Sequence, residues 1–155
     1  MSIKEIVKLG HPALKKKSEE VKEINKEILS LVKDLKDTLY NTTGIGLAAP
    51  QINVNKRVIL VDLRNGMEPI VLINPVIKRK LGTQESEEGC LSYPGYYGML
   101  ERPKIVLVKG LNEYGEEVKY KGTELLCRAL CHEIDHLNGI MFCDRTEEIY
   151  KEEEE

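Results

Sequence analysis

Two histidines four residues apart bracket a glutamate in the run His132-Glu133-Ile134-Asp135-His136. On a helix, positions four apart lie about 40° from each other around the axis, so both imidazoles leave the same face. Two neutral imidazoles at that spacing can bind one metal ion. Glu133 sits beside them, where a carboxylate can work on a metal-bound water as general acid/base without being a ligand. A catalytic site usually takes three protein ligands and leaves a position open. No histidine follows His136, and the carboxylates downstream are Asp144 and the glutamates of the tail. A cysteine is the alternative. With His132 at zero, Cys127 falls at about 220° and Cys131 at about 260°, so neither points with the histidines. Both are expected to pack as small apolar residues, and Phe142 beside Cys143 points to burial there too. Cys90 lies in a stretch rich in Gly, Tyr and Pro that can aim a thiolate at another element. It is the expected third ligand.

The same helical geometry puts Leu125 at about 20°, Ala129 at about 60° and Arg128 at about 320°, all on the ligand-facing side. Ala129 is small enough to floor a pocket for an unbranched side chain. Leu125 would line its far end, and Ile45 or Tyr93 would form its walls.

Three stretches bear on this chemistry together: Gly44-Ile45-Gly46-Leu47-Ala48-Ala49-Pro50-Gln51, Glu88-Gly89-Cys90-Leu91-Ser92 and His132-Glu133-Ile134-Asp135-His136-Leu137. In this order they resemble the three signature motifs of peptide deformylases, and the similarity runs from near Ile6 to about Phe142. The resemblance implies a hydrolase that removes the formyl group from N-formylmethionine at the start of newly synthesised polypeptides and releases formate. It implies one divalent metal ion, natively Fe2+ and replaceable by Zn2+, Ni2+ or Co2+, held by Cys90, His132 and His136. It also implies that Gln51 and the backbone N–H of Leu91 stabilise the oxyanion, and that Gly46 approaches the substrate through its backbone. Two features depart from the family pattern. Cys131 stands where glutamine is common, and the long C-terminal helix of many members is missing, which leaves docking on the ribosome open. Two rival readings are a zincin-type metallopeptidase, which needs a third ligand downstream, and a structural-metal protein, which normally needs a fourth protein ligand. For that fourth ligand, neither Asp135 nor Cys131 is well aimed.

The elements that must position these residues follow from pattern. Ile24, Ile28, Leu31, Val32, Leu35 and Leu39 predict one amphipathic helix over residues 24–39. A second helix is predicted over residues 123–138, with Thr123 as N-cap and Gly139 as the stop. Strands are predicted at 57–63, 70–77, 104–111 and 116–121, the last two joined by a turn at 112–115. Residues 40–51 read as a tight buried loop, and Gly89 to Gly98 as an ordered loop. Residues 1–155 are expected to form a single catalytic domain, with 146–155 a short acidic, frayed tail. The fold class is α+β, antiparallel strands packed around a central metal-binding helix.

The 155 residues carry 23 Lys and Arg against 26 Asp and Glu, and the densest basic run, Lys15-Lys16-Lys17, is followed at once by Glu19-Glu20. That pattern reads as solvated surface, with no nucleic-acid footprint evident. There is no apolar run long enough to span a membrane, and no secretory signal is expected. Four cysteines are too few for a disulfide scaffold in a chain of this size. The cytoplasm is the expected location.

Overall fold

Four consecutive apolar residues, Val58–Val61, are buried at every position, so their strand needs cover on both faces. The fold supplies it. The protein is described here by a computed structural model covering residues 2–152. In chain order it begins with a 3-10 turn (Pro12–Lys15), helix α1 (Lys26–Tyr40), strand β1 (Gly46–Ala48) and a second 3-10 turn (Ala49–Ile52). Strands β2 (Val58–Val61), β3 (Ile70–Leu81), β4 (Gln84–Cys90) and β5 (Tyr93–Arg102) follow. Then come β6 (Ile105–Leu111), β7 (Glu117–Thr123), helix α2 (Glu124–Leu137), a third 3-10 turn (Phe142–Asp144) and β8 (Ile149–Lys151). All the strand pairs are antiparallel. They form a five-stranded sheet, β1-β2-β3-β6-β7, and a three-stranded one, β4-β5-β8.

The large sheet separates two apolar clusters. Val58 and Leu60 face α1, where Leu31, Val32, Leu35 and Leu39 meet Leu47 and Ile73. Ile59 and Val61 face α2, where Leu130, Ile134 and Leu137 meet Leu72, Val106 and Val108. Period-two alternation on a strand covered on both sides leaves no polar position, which is why β2 is apolar throughout.

Helix α1 runs from Lys26 to Tyr40 against the expected 24–39, and α2 from Glu124 to Leu137 against 123–138. Asn25 caps α1 by accepting the N–H of Ile28. Thr123 is the N-cap residue of α2, but its side chain makes no capping bond. Gly139, at φ +74°, stops α2, and a Cβ there would lie 2.5 Å from the carbonyl oxygen of Lys15. Arg57 donates to the carbonyl of Leu137 at 3.0 Å and to Asn138 Oδ1 at 3.0 Å, placing a cation at the negative end of the α2 dipole.

Three expectations require correction. Gly89 to Gly98 is not a loop: it belongs to the β4–β5 hairpin, with a turn at Leu91-Ser92. The hairpin lacks an apolar alternation because its inward face carries Glu88 and Arg102, which are buried as an ion pair. Residues 40–51 are likewise not all loop, since Gly46–Ala48 pairs with β2. The chain end is not simply a frayed tail, because Ile149–Lys151 pairs with β5. Residues 153–155 lie outside the described residues. No helix among the described residues is long and apolar enough to cross a membrane.

Candidate metal centre and active site

Helix α2 holds His132 and His136 on one face, and the β4–β5 turn brings Cys90 against them. One ligand atom from each of the three lies within 4.8 Å of the others, and Cys90 Sγ is 3.3 Å from His136 Nε2. One thiol and two imidazoles converging this closely suit a divalent ion of intermediate softness. Cys127 and Cys131 lie instead in the cluster between α2 and the sheet, 0% and 4% exposed. Burial pushes the Cys131 thiol up to about 12, as expected for an inert core residue.

His132 is oriented from behind. Its Nδ1 lies 2.8 Å from Glu88 Oε1, which leaves Nε2 for the Cys90 side. Glu88 accepts both Nε and Nη2 of Arg102, at 2.7 and 2.8 Å. Arg102 Nη1 donates to Asp135 Oδ2 at 2.6 Å, and Asp135 takes a second fork from Arg145 at 2.6 and 2.7 Å. Two carboxylates and two guanidiniums thus form one charge-balanced chain, which satisfies groups that would be costly to bury alone. Burial opposes ionisation of Glu88, but the hydrogen bonds from Arg102 and His132 outweigh it and hold the carboxyl near 2. Asp135 is committed to this network and is not aimed at the metal-ligand cluster.

Glu133 is 4% exposed, and its Oε1 has no hydrogen-bond partner among the described residues. Burial raises its carboxyl to about 7, with His132 pulling the other way. Its position depends on Gly46: a Cβ there would lie 2.5 Å from Glu133 Oε2. Gly46→Ala is therefore expected to displace the carboxylate and lower turnover by about 10², the scale of an ångström-sized misplacement, with metal content retained. Parallel metal analysis and steady-state kinetics check this. Unchanged turnover would show that the contact has no catalytic consequence.

Gln51 is 1% exposed. Its Oε1 accepts the N–H of Ala48 at 2.9 Å, while Nε2 donates to Ser92 Oγ at 3.1 Å and faces Cys90 Sγ at 3.5 Å. Leu91 follows Cys90 in the hairpin turn. A cleft of about 460 Å³ is lined by Gln51, Cys90, Leu91, His132 and Glu133. Ile45, Gly46, Leu125, Arg128, Ala129 and Tyr93 line it too. Sequence reasoning assigned no role to Glu88 and passed over Arg102, Arg145 and Ser92. Glu88 and Ser92 lie inside a recognised motif, but the two arginines carry no local signal.

A family model described as polypeptide deformylase matches residues 3–152. The chain belongs to the peptide deformylase family. It is 51% identical over 152 residues to peptide deformylase 2 of Clostridium perfringens, covering 97% of each chain. Among solved structures it resembles a peptide deformylase from Legionella pneumophila, with a TM-score of 0.91, 39% identity, and coverage of 94% of this chain and 87% of that one. It also resembles the enzyme from Synechococcus elongatus solved in complex with actinonin, with a TM-score of 0.87, 42% identity, and coverage of 92% and 78%. Membership makes the chain an enzyme, a hydrolase of the deformylase class.

Proposed function

We propose that this chain, as a single catalytic domain over residues 1–155, removes the formyl group from the N-terminal formylmethionine of nascent polypeptides in the cytoplasm. The supporting observation is a three-ligand cluster beside a buried carboxylate and a buried amide that line one cleft. Cys90, His132 and His136 would hold one divalent ion, which we take to be Fe2+. When bound, such an ion polarises a carbonyl and lowers the pKa of water from 15.7 to about 7.

The chain's own residues do the rest. Glu133 takes the proton from the attacking water and returns it to the leaving amine. The formyl oxygen gathers negative charge as the carbon becomes tetrahedral, and Gln51 Nε2 with the N–H of Leu91 meets it. One such donor is typically worth on the order of 3 kcal/mol. Ser92 and Ala48 hold the Gln51 amide so that it does not reorganise during the step. Gly46 presents backbone to the substrate, and Ile45, Leu125 and Ala129 enclose its first side chain. An acetyl group is expected to be rejected sharply, because its methyl adds bulk where Gln51 and Leu91 must close around the carbonyl.

Formate release from a formyl-Met peptide, measured anaerobically with metal content determined in parallel, tests this reading. Stoichiometric metal with no formate release would overturn it. With an apolar pocket worth about 1–3 kcal/mol per methylene, preference for methionine should be graded. Ala129→Phe is expected to depress the formyl-Met substrate far more than formyl-Ala, at unchanged metal content. Equal losses on both would move the side-chain pocket elsewhere. The iron form should lose activity in air much faster than the nickel form, because a thiolate lies next to a redox-active ion. Matching half-lives would count against iron.

A further inference from the structure

Away from Leu111, strands β6 and β7 are packed by a helix on one side only. Val106 and Val108 of β6, with Val118 and Tyr120 of β7, pack toward α2. The alternate residues Leu107, Lys109, Lys119 and Lys121 therefore point to the other side. Leu111 belongs to the same set and packs against the α1 cluster, so this is the side that α1 covers farther along the sheet. Register sets Lys109 opposite Lys119, and Leu107 opposite both Lys121 and Arg79. Arg79, Lys119 and Lys121 are exposed, whereas Lys80 stands opposite Val106 and so points to the α2 side.

On this face Arg79, Lys109, Lys119 and Lys121 stand with one acid, Glu117, in a chain whose acids outnumber its bases by 26 to 23. Lys109 pairs with Glu117. Among the described residues the other three make no ion pair. Like charges directly opposite on neighbouring strands are destabilising, and Glu117 offsets Lys109 but leaves Lys119 without an ion pair among the described residues. Lys119 and Lys121 lie about 7 Å apart along β7, and Arg79 lies two strands, about 10 Å, from Lys121 across Leu107. Spread over an open sheet face, these cations offer no enclosed pocket for one small anion. They suit a repeating one, such as a phosphodiester backbone read without regard to sequence.

We propose that this face of β3, β6 and β7 binds the phosphate backbone of RNA. Binding of a polyphosphate follows from these cations alone. The choice of RNA rests on the deformylase reading, which puts the enzyme beside chains still being synthesised. The cleft is lined by α2 on the opposite side of the sheet, so RNA and peptide can be held together.

The test is fluorescence anisotropy of a labelled RNA hairpin with the full chain over a range of KCl concentrations. Affinity should fall with log salt at a slope of about −3 to −4, the value for roughly four neutralised phosphates. Combining Arg79→Glu, Lys119→Glu and Lys121→Glu should weaken binding by at least about tenfold and flatten that slope. Circular dichroism and formate release from a short peptide should not change. Reversing Lys15, Lys16 and Lys17, the densest basic run, should leave RNA binding intact. The proposal is overturned by absence of binding at low salt, by equal weakening in the two triple variants, or by tighter binding to phosphatidylserine vesicles than to RNA. RNA binding that persists in a protein with no formate release would sink the deformylase reading and leave the phosphate-binding face standing.

Discussion

Glu133→Gln is expected to lower turnover by about 10² to 10⁴ while metal content stays at one ion per chain, because the loss is that of a missing general acid/base. The expectation follows from what Glu133 touches. It is buried against Gly46, one of its oxygens has no partner, and it is not a member of the converging ligand set. Glutamine has nearly the same shape, so the packing against Gly46 and the helix should survive. Only the capacity to accept and return a proton disappears. Metal analysis, single-turnover formate release and thermal melts on the same preparations would separate a chemical loss from a structural one. Near-normal turnover would remove Glu133 from the mechanism, and loss of the ion would make it a ligand instead.

Cys90→Ala is expected to abolish tight metal binding and, with it, activity. Cys127→Ala and Cys131→Ala should keep full stoichiometry. Cys90 Sγ is the only sulfur in the converging set among the described residues, whereas the two helical cysteines are in the core between α2 and the sheet. Their replacement leaves small cavities and should therefore appear in stability, by about 1 kcal/mol or more each, before it appears in metal content. Equilibrium competition with a chromophoric chelator, alongside denaturant unfolding, distinguishes the two kinds of loss. A Cys131→Ala protein that loses its metal, paired with a Cys90→Ala protein that keeps it, would reverse the ligand assignment.

The bond between His132 and Glu88 explains why the ligand cluster needs more than its three ligands. The helix sets the direction of the two imidazoles, but rotation of the His132 ring is limited by a carboxylate on β4, itself locked by Arg102 on β5. Arg145 closes the same network from beyond the third 3-10 turn, through Asp135. The motif residue Asp135 thus links α2 to the small sheet.

What the sequence determined by itself is what helical periodicity can carry. A helix is locally rigid, so spacing alone put His132 and His136 on one face, turned Cys127 and Cys131 toward the core, and set Leu125 and Ala129 toward the cleft. Val58–Val61 and the turn at 112–115 were legible for a similar reason: apolar runs and turn residues act over a few positions. The motifs carried Cys90, Gln51 and Leu91, though their meeting with α2 depends on contacts dozens of residues apart. Only the tertiary structure decided the rest. The β4–β5–β8 sheet was hidden because its buried side is ionic, so the usual alternation of apolar and polar residues is absent. Arg102 and Arg145 look like surface cations in sequence, and only packing makes them partners of Glu88 and Asp135. Gly46 needs to be glycine because Glu133 arrives from another element. Arg79, Lys109, Lys119 and Lys121 are dispersed along the chain, and it is strand register that gathers them on one face.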